Sequence, residues 1–297
     1  MTHLKNILAA TDLSSPSRQA ADRAARLAHT ARARLRLVHA LSAGTLARLQ
    51  PMLGLGSALE QTLVEQTGQA LAEMATELGA ARGATVETAL VQGAVLDEIA
   101  RQAEDMDADL VVLGARGAGF MRHLLLGATS ERLLCLTTRP MLVVKQRAHE
   151  AYRRVLVPVD FSPWSASLID LARRVAPGAH LVLLAAYDVP FEGKLRFAGV
   201  EDTAIEQYRV QAQHAATQQL QALAGSANLQ PEDWTPCVVR GEPSLAIVEQ
   251  EQECDCDLIV IGKHGQNMAQ ELLLGSVTKH VLAESTGDVL VSTATQA

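Results

Sequence analysis

The feature that most constrains this chain is that it is written twice. ILAATDLSSPS (residues 7–17) aligns with VLVPVDFSPWS (155–165) at an offset of 148. VQG (91–93) and VRG (239–241) keep that offset, as do DLVVLG from Asp109 and DLIVIG from Asp257. The register slips only between LRLVHA (35–40) and LVLLAA (181–186), where it is 146. A self-match of this length makes two like units the first expectation, and 297 residues suffice for two cores of about 150 residues each. The join falls near KQRAHEAYRR (145–154), so residues 1–148 and 149–297 are expected to form separate domains.

Each copy alternates apolar runs with helical patterns. In the second copy RVLVPV, HLVLLAAY, TPCVVR, DLIVIG and DVLVST read as five strands. The helices between them are expected over about 165–176, with Ser165 as N-cap, over 202–224, over PSLAIVEQEQ (243–252), and from near Gly275. DVPFEGKLRFAG (188–199) reads as a loop. Strands apolar on both faces and flanked by helices mean a parallel sheet covered on both sides. The expected class is therefore α/β, with two tandem doubly wound five-stranded parallel-sheet domains. Ligands of such sheets bind beyond the carboxyl ends of the strands, at the switch point.

Charge and composition narrow the function. Residues 1–148 hold 16 Lys+Arg against 14 Asp+Glu, a net of +2, and residues 149–297 hold 10 against 19, a net of −9. The acidic half repels phosphate backbones, which argues against nucleic acid as a partner. The asymmetry itself is read as solvated surface rather than a partner-binding face. No apolar run reaches the roughly 18 residues of a membrane helix, and no secretory leader pattern opens the sequence, so no membrane association is expected. Cys135, Cys237, Cys254 and Cys256 have no disulfide-framework spacing, which fits a reducing cytoplasm.

The chemistry concentrates in LIVIGKHGQNMAQELLLGSVTKHVL (258–282) and its near copy LVVLGARGAGFMRHLLLGATSERLL (110–134). Gly262 and Gly265 follow an apolar strand, where a missing Cβ lets backbone N–H groups approach an anion. After nine intervening residues Gly275, Ser276, Val277 and Thr278 open a helix, whose unpaired N–H donors, dipole and hydroxyls favour a phosphate. Lys263 adds charge, and Asp160, at the end of the first strand of this copy, faces the same edge and suits ribose hydroxyls. The competing reading is structural: glycines end a strand, and Ser or Thr caps a helix.

Other devices are excluded or set aside. There is no G-x-x-x-x-G-K-[ST], no G-x-G-x-x-G after a first strand, and no G-x-S-x-G elbow. Cys254 and Cys256 form a C-x-C whose spacing is not a zinc signature, so buried or incidental cysteines are preferred to a metal site. His264 either bonds a phosphate oxygen or is a plain loop histidine, and His39 reads as a satisfied core residue. No catalytic base or nucleophile stands out.

G-x2-G-x9-G-[ST] after a strand, in a five-stranded α/β domain that starts with VPVDFS, resembles the universal stress protein family over both copies. The resemblance implies a Rossmann-like, adenine nucleotide alpha hydrolase-like fold of tandem type. Its ATP-binding branch places adenosine and phosphates on positions that here are Pro158, Asp160, Ala186, Gly262, Gly265, Gly275, Ser276, Val277 and Thr278. In the first copy Asp12, Ala40, Gly114, Gly117, Gly127 and Ser130 match, whereas Ala128 replaces the hydroxyl residue after the third glycine. That loss is worth about 1 kcal/mol, against which Thr129 and Ser130 are candidates to compensate and Arg116 to add a guanidinium. The implied ligand is ATP, with Mg2+ a candidate companion. The implied role is a nucleotide-responsive stress or regulatory binding protein; the alternatives are a slow ATPase and an interaction protein with vestigial pockets. The resemblance also implies pairing through the edge strands MLVVK and DVLVS, as an internal pseudo-dimer or homodimer.

Overall fold

The computed structural model describes residues 3–42, 57–115, 128–189, 192–263 and 274–293. It divides the chain into two compact units, one essentially within residues 1–151 and the other within 152–292. The first contains β1 (Asn6–Ala10), α1 (Ser15–Ala31), β2 (Arg34–Ser42), α2 (Ser57–Arg82), β3 (Val86–Gly93), α3 (Val95–Asp105), β4 (Leu110–Gly114), α4 (Ala128–Leu136) and β5 (Met141–Val144). Its strands pair in parallel in the order β3-β2-β1-β4-β5.

The second unit repeats the plan with β6 (Arg154–Pro158), α5 (Ser165–Val175), β7 (His180–Tyr187), α6 (Glu192–Phe197), α7 (Asp202–Ser226), β8 (Trp234–Arg240), α8 (Pro243–Glu253), β9 (Leu258–Gly262), α9 (Ser276–Glu284) and β10 (Asp288–Ser292). Its parallel order is β8-β7-β6-β9-β10. In each unit the chain reverses direction across the sheet between the first and fourth strands, and that reversal opens a crevice at their carboxyl ends. No helix of the described residues is long and apolar enough to cross a membrane.

The strands are where continuous Val, Ile and Leu runs put them. Leu258, Ile259 and Val260 of β9 and Leu110, Val111 and Val112 of β4 are almost completely buried, because helices cover both faces. The repeat extends to backbone detail. Asp109 accepts hydrogen bonds from the Lys5 and Asn6 amides at 2.7 and 2.9 Å. Asp257, 148 residues on, accepts from those of Arg153 and Arg154 at 2.8 and 3.3 Å. Each carboxylate thus ties the entry of the fourth strand to that of the first. Leu13 and Phe161, matched in the two turns after the first strands, both sit at positive φ, 64° and 59°.

Two local expectations are corrected. Ser165 is the first residue of α5 and not its cap; Trp164 holds the N-cap position without a side-chain bond. The reason is a tight turn just before the helix, in which the Ser165 amide already donates to the Ser162 carbonyl at 3.0 Å. Residues 192–197, expected as loop, form the short helix α6. Its first residue, Glu192, is pinned by Arg209, by Arg240 at 3.4 Å and by Arg196 one turn on at 3.8 Å. These contacts, the Arg209 hydrogen bond foremost, hold the Glu192 carboxyl below the usual range.

Candidate functional site

A cavity of about 320 Å3 occupies the crevice of the second unit. The end of β6 supplies Pro158, Val159 and Asp160, and β7 supplies Leu184 and Ala186. Ile261 and Gly262 end β9, and Gly275, Ser276, Val277 and Thr278 open α9. The expected Pro158, Asp160, Ala186, Gly262, Gly275, Ser276, Val277 and Thr278, distant in sequence, therefore line one space. Gly117, Gly127 and Gly265, with Arg116 and His264, lie outside the described residues.

The walls divide by chemistry. On one side Trp164 and Leu168 of α5, Leu184, and Pro243 and Ile247 of α8 make an apolar slot. A flat, weakly hydrated ring gains from such a surface through burial and stacking. On the other side the N-cap of α9 is Gly275, which offers no capping side chain and has extended dihedrals of φ −60° and ψ 150°. The first intrahelical bond runs from the Lys279 amide to the Gly275 carbonyl at 2.9 Å. The amides of Ser276, Val277 and Thr278 precede it and have no intrahelical acceptor. With the helix dipole they form a seat for anionic oxygens. The neighbouring helix α8 offers no such seat, because Glu242 accepts from the Leu245 amide at 3.0 Å and closes its end. Burial works against the Glu242 charge, but hydrogen bonds from the Ser244 hydroxyl and the Leu245 and Ser244 amides hold its carboxyl below the usual range.

The two expected hydroxyls of the seat differ in availability. Ser276 is exposed at the first turn of α9. Thr278 is 3% exposed, and its Oγ1 donates to the Gly262 carbonyl at 2.8 Å. Its proton therefore joins β9 to α9. The first copy has the same joint, with the Ser130 hydroxyl donating to the Gly114 carbonyl at 3.2 Å. Ser130 thus has a structural partner where compensation for Ala128 was expected. Lys263 likewise acts through its backbone: its amide donates to the Ser292 carbonyl at 2.8 Å and its carbonyl accepts from the Gly275 amide at 3.0 Å. Its side chain is buried and does not line the cavity.

Asp160 is exposed at the mouth, where Oδ1 accepts from the Ser162 amide at 3.0 Å and the Ser165 hydroxyl at 3.3 Å. These bonds fix the carboxylate at the mouth of the cavity. Asp12 repeats the turn, accepting from the Ser14 amide at 3.1 Å, and Ala40 of β2 is half-buried. His39 is half-buried too, bonded through Nδ1 to the Thr11 carbonyl at 2.8 Å.

Sequence reasoning passed over Trp164, Leu168, Pro243 and Ile247. The rule that ligands sit at carboxyl ends of strands pointed to Pro243, three residues past β8; nothing in the sequence marked the inward face of Trp164. No cluster of three or more His, Cys, Asp or Glu suited to a metal occurs among the described residues. Burial, ahead of the nearby Cys254, pushes the Cys237 thiol to about 11 and the Cys256 thiol to about 12.

Comparison with known proteins places this architecture. The model of the universal stress protein family matches twice, over residues 3–145 and 151–292. A universal stress protein of Mycolicibacterium smegmatis is 29% identical over 242 residues, covering 77% of this chain and 74% of its own. Universal stress protein YxiE of Bacillus subtilis is 28% identical over 145 residues, 47% of this chain and 97% of its own. Among solved structures, a universal stress protein from Archaeoglobus fulgidus DSM 4304 superposes with a TM-score of 0.69 at 21% identity, over 97% of this chain and 96% of that one, a likeness of fold. The chain belongs to the universal stress protein family and carries two of its domains in tandem.

Proposed function

We propose that the second unit binds ATP and that the protein acts in the cytoplasm as a nucleotide-responsive binding module rather than a metabolic enzyme. The observation that carries this reading is the meeting, in one cavity, of an apolar slot with a helix start that presents three amides and the Ser276 hydroxyl. The adenine lies in the slot near Trp164, Leu184 and Ile247, the ribose hydroxyls donate to Asp160, and the phosphates take the start of α9. Among the described residues Asp160 is the one carboxylate lining the cavity, so an accompanying Mg2+ is held mainly by the phosphates themselves. The donors fit a phosphate: neutral N–H and O–H groups at a helix start, with no carboxylate other than Asp160 lining the cavity among the described residues.

Trp164 provides the test. The chain has two tryptophans, Trp164 and Trp234, and only Trp164 lines the cavity. ATP should quench the intrinsic fluorescence saturably, and Trp164→Phe should abolish the change while calorimetry still detects binding. A purified chain that carries no nucleotide, shows no quenching and gains no thermal stability from ATP refutes the reading. Steady-state phosphate release separates it from the enzyme reading, since turnover above about 1 s⁻¹ lies in the ordinary enzyme range.

A further inference from the structure

A second cavity, of about 340 Å3, lies in the first unit against α1, its lining including Ser15, Arg18, Asp22, Arg82, Arg147 and His149. Its charges are unevenly committed. Arg82 holds Asp22 through two hydrogen bonds of 2.7 and 2.6 Å and also donates to the Ala148 carbonyl at 3.2 Å. The Asp22 charge is thereby cancelled. Arg18 lies 3.6 Å from Glu77 in a pair whose side chains are 47% and 72% exposed, a geometry that binds weakly in water. Arg147 and His149 make no ion pair or side-chain hydrogen bond among the described residues.

These two side chains leave a backbone that is itself held. Arg26 donates to the Ala148 and His149 carbonyls at 3.3 and 2.9 Å, and Arg23 to the Glu150 carbonyl at 2.8 Å. The segment after β5 is therefore clamped onto α1, and Arg147 and His149 start from fixed points beside the cavity. The Arg147 guanidinium on this held backbone, with the His149 ring, the Ser15 hydroxyl and the Gln19 amide nearby, offers an entering oxyanion several donors. The volume is at the lower end for small-molecule sites, which suits a compact ligand.

We infer that this cavity binds a phosphate group, free or carried by a small phosphomonoester, with Arg147 as its principal ligand and His149 beside it. The full-length chain is titrated with inorganic phosphate and separately with glycerol 3-phosphate, at constant ionic strength, following the His149 ring resonances. Both probes should shift them saturably, with dissociation constants near the millimolar range typical of a few polar contacts. Arg147→Ala should weaken binding at least tenfold while melting temperature and ATP affinity stay unchanged. Tighter binding of the ester identifies a phosphorylated metabolite as the ligand; equal binding identifies free phosphate. The inference is overturned if the shifts do not saturate below about 20 mM. Equal affinity in the wild type and the Arg147→Ala, His149→Ala double variant also overturns it.

Discussion

Replacing Ser276 by Ala tests the phosphate seat at its most discriminating point. The loop ends of the two copies differ in several hydroxyls by sequence, GSVT against GATS. The structure removes one pair from consideration, because Thr278 and Ser130 both spend their protons on strand carbonyls, at 2.8 and 3.2 Å. Ser276, exposed beside three unpaired amides, becomes the hydroxyl that a phosphate meets. A single exposed hydroxyl–phosphate bond contributes about 1–2 kcal/mol, so Ser276→Ala should weaken ATP by about five- to thirtyfold. Because position 276 lies past the Gly275 cap and its side chain is exposed, the melting temperature should stay within a degree or two, as for ordinary surface substitutions. Thr278→Val should do the reverse. It leaves the Gly262 carbonyl without its donor, costing about 1–3 kcal/mol of stability, with an effect on ATP only through displacement of α9. Calorimetry on the full chain, with thermal melts alongside, separates the two. If Ser276→Ala binds ATP within twofold of wild type, the hydroxyl is not a phosphate ligand and the argument for unequal copies fails.

Three other outcomes are expected. Glu251 is 1% exposed and accepts from the Thr286 amide and hydroxyl and the Gly287 amide, so Glu251→Ala strands several buried donors and should cost about 3 kcal/mol or more by urea melts. A Cβ at Gly287 would lie 2.9 Å from Glu251 Oε1 and 3.2 Å from the Asp257 carbonyl, so Gly287→Ala should destabilise by about 1–3 kcal/mol; an unchanged melt would show that the turn yields freely. Cys237 and Cys256 keep their protons up to about pH 11 and 12 when folded, whereas unfolded thiols release them near 9. Between those values the unfolded state binds fewer protons, so stability falls as pH rises from about 9 toward 12. The double Cys→Ser variant should show a shallower decline, and an equal slope refutes the assignment.

Much of this was legible because the repeat supplies its own control. An offset of 148 fixed which segments correspond, and continuous apolar runs such as DLIVIG identify strands buried on both faces whatever surrounds them. Gly262, Gly275 and the start of α9, which line the cavity, were legible from backbone chemistry alone, whereas Gly265 lies outside the described residues. What escaped depends on side-chain direction. Thr278, in the first turn of α9, lines the cavity but commits its hydroxyl proton to the Gly262 carbonyl of β9, and Lys263 is buried; a one-dimensional pattern does not carry those orientations. Trp164 and Ile247 line one cavity because α5 and α8 flank the same crevice. The helix α6 exists through tertiary ion pairs at Glu192, which override a local sequence with Gly193 in its first turn.

The two copies also separate what the fold needs from what a ligand needs. The Asp109 and Asp257 clasps, the Asp12 and Asp160 turns, the Leu13 and Phe161 conformations and the Ser130 and Thr278 joints all occur twice. Each closes a backbone position that any domain of this topology must close, which is reason enough to keep both. The turn before the fifth strand is also pinned twice, but by opposite chemistry. In the second unit a buried carboxylate, Glu251, accepts from the Thr286 and Gly287 amides. At the matching position in the first unit Arg139 replaces Gly287 and reaches out to Glu104 and Asp107, both at 2.7 Å. Two solutions at one site mean that the requirement is on the backbone and not on the residues. Ser276 and Trp164 are different: their counterparts, Ala128 and Pro16, carry neither the hydroxyl nor the ring. A feature that the scaffold can lose in one copy is not part of the scaffold. Its presence in the cavity of the second unit therefore adds to the reasons for proposing a ligand there.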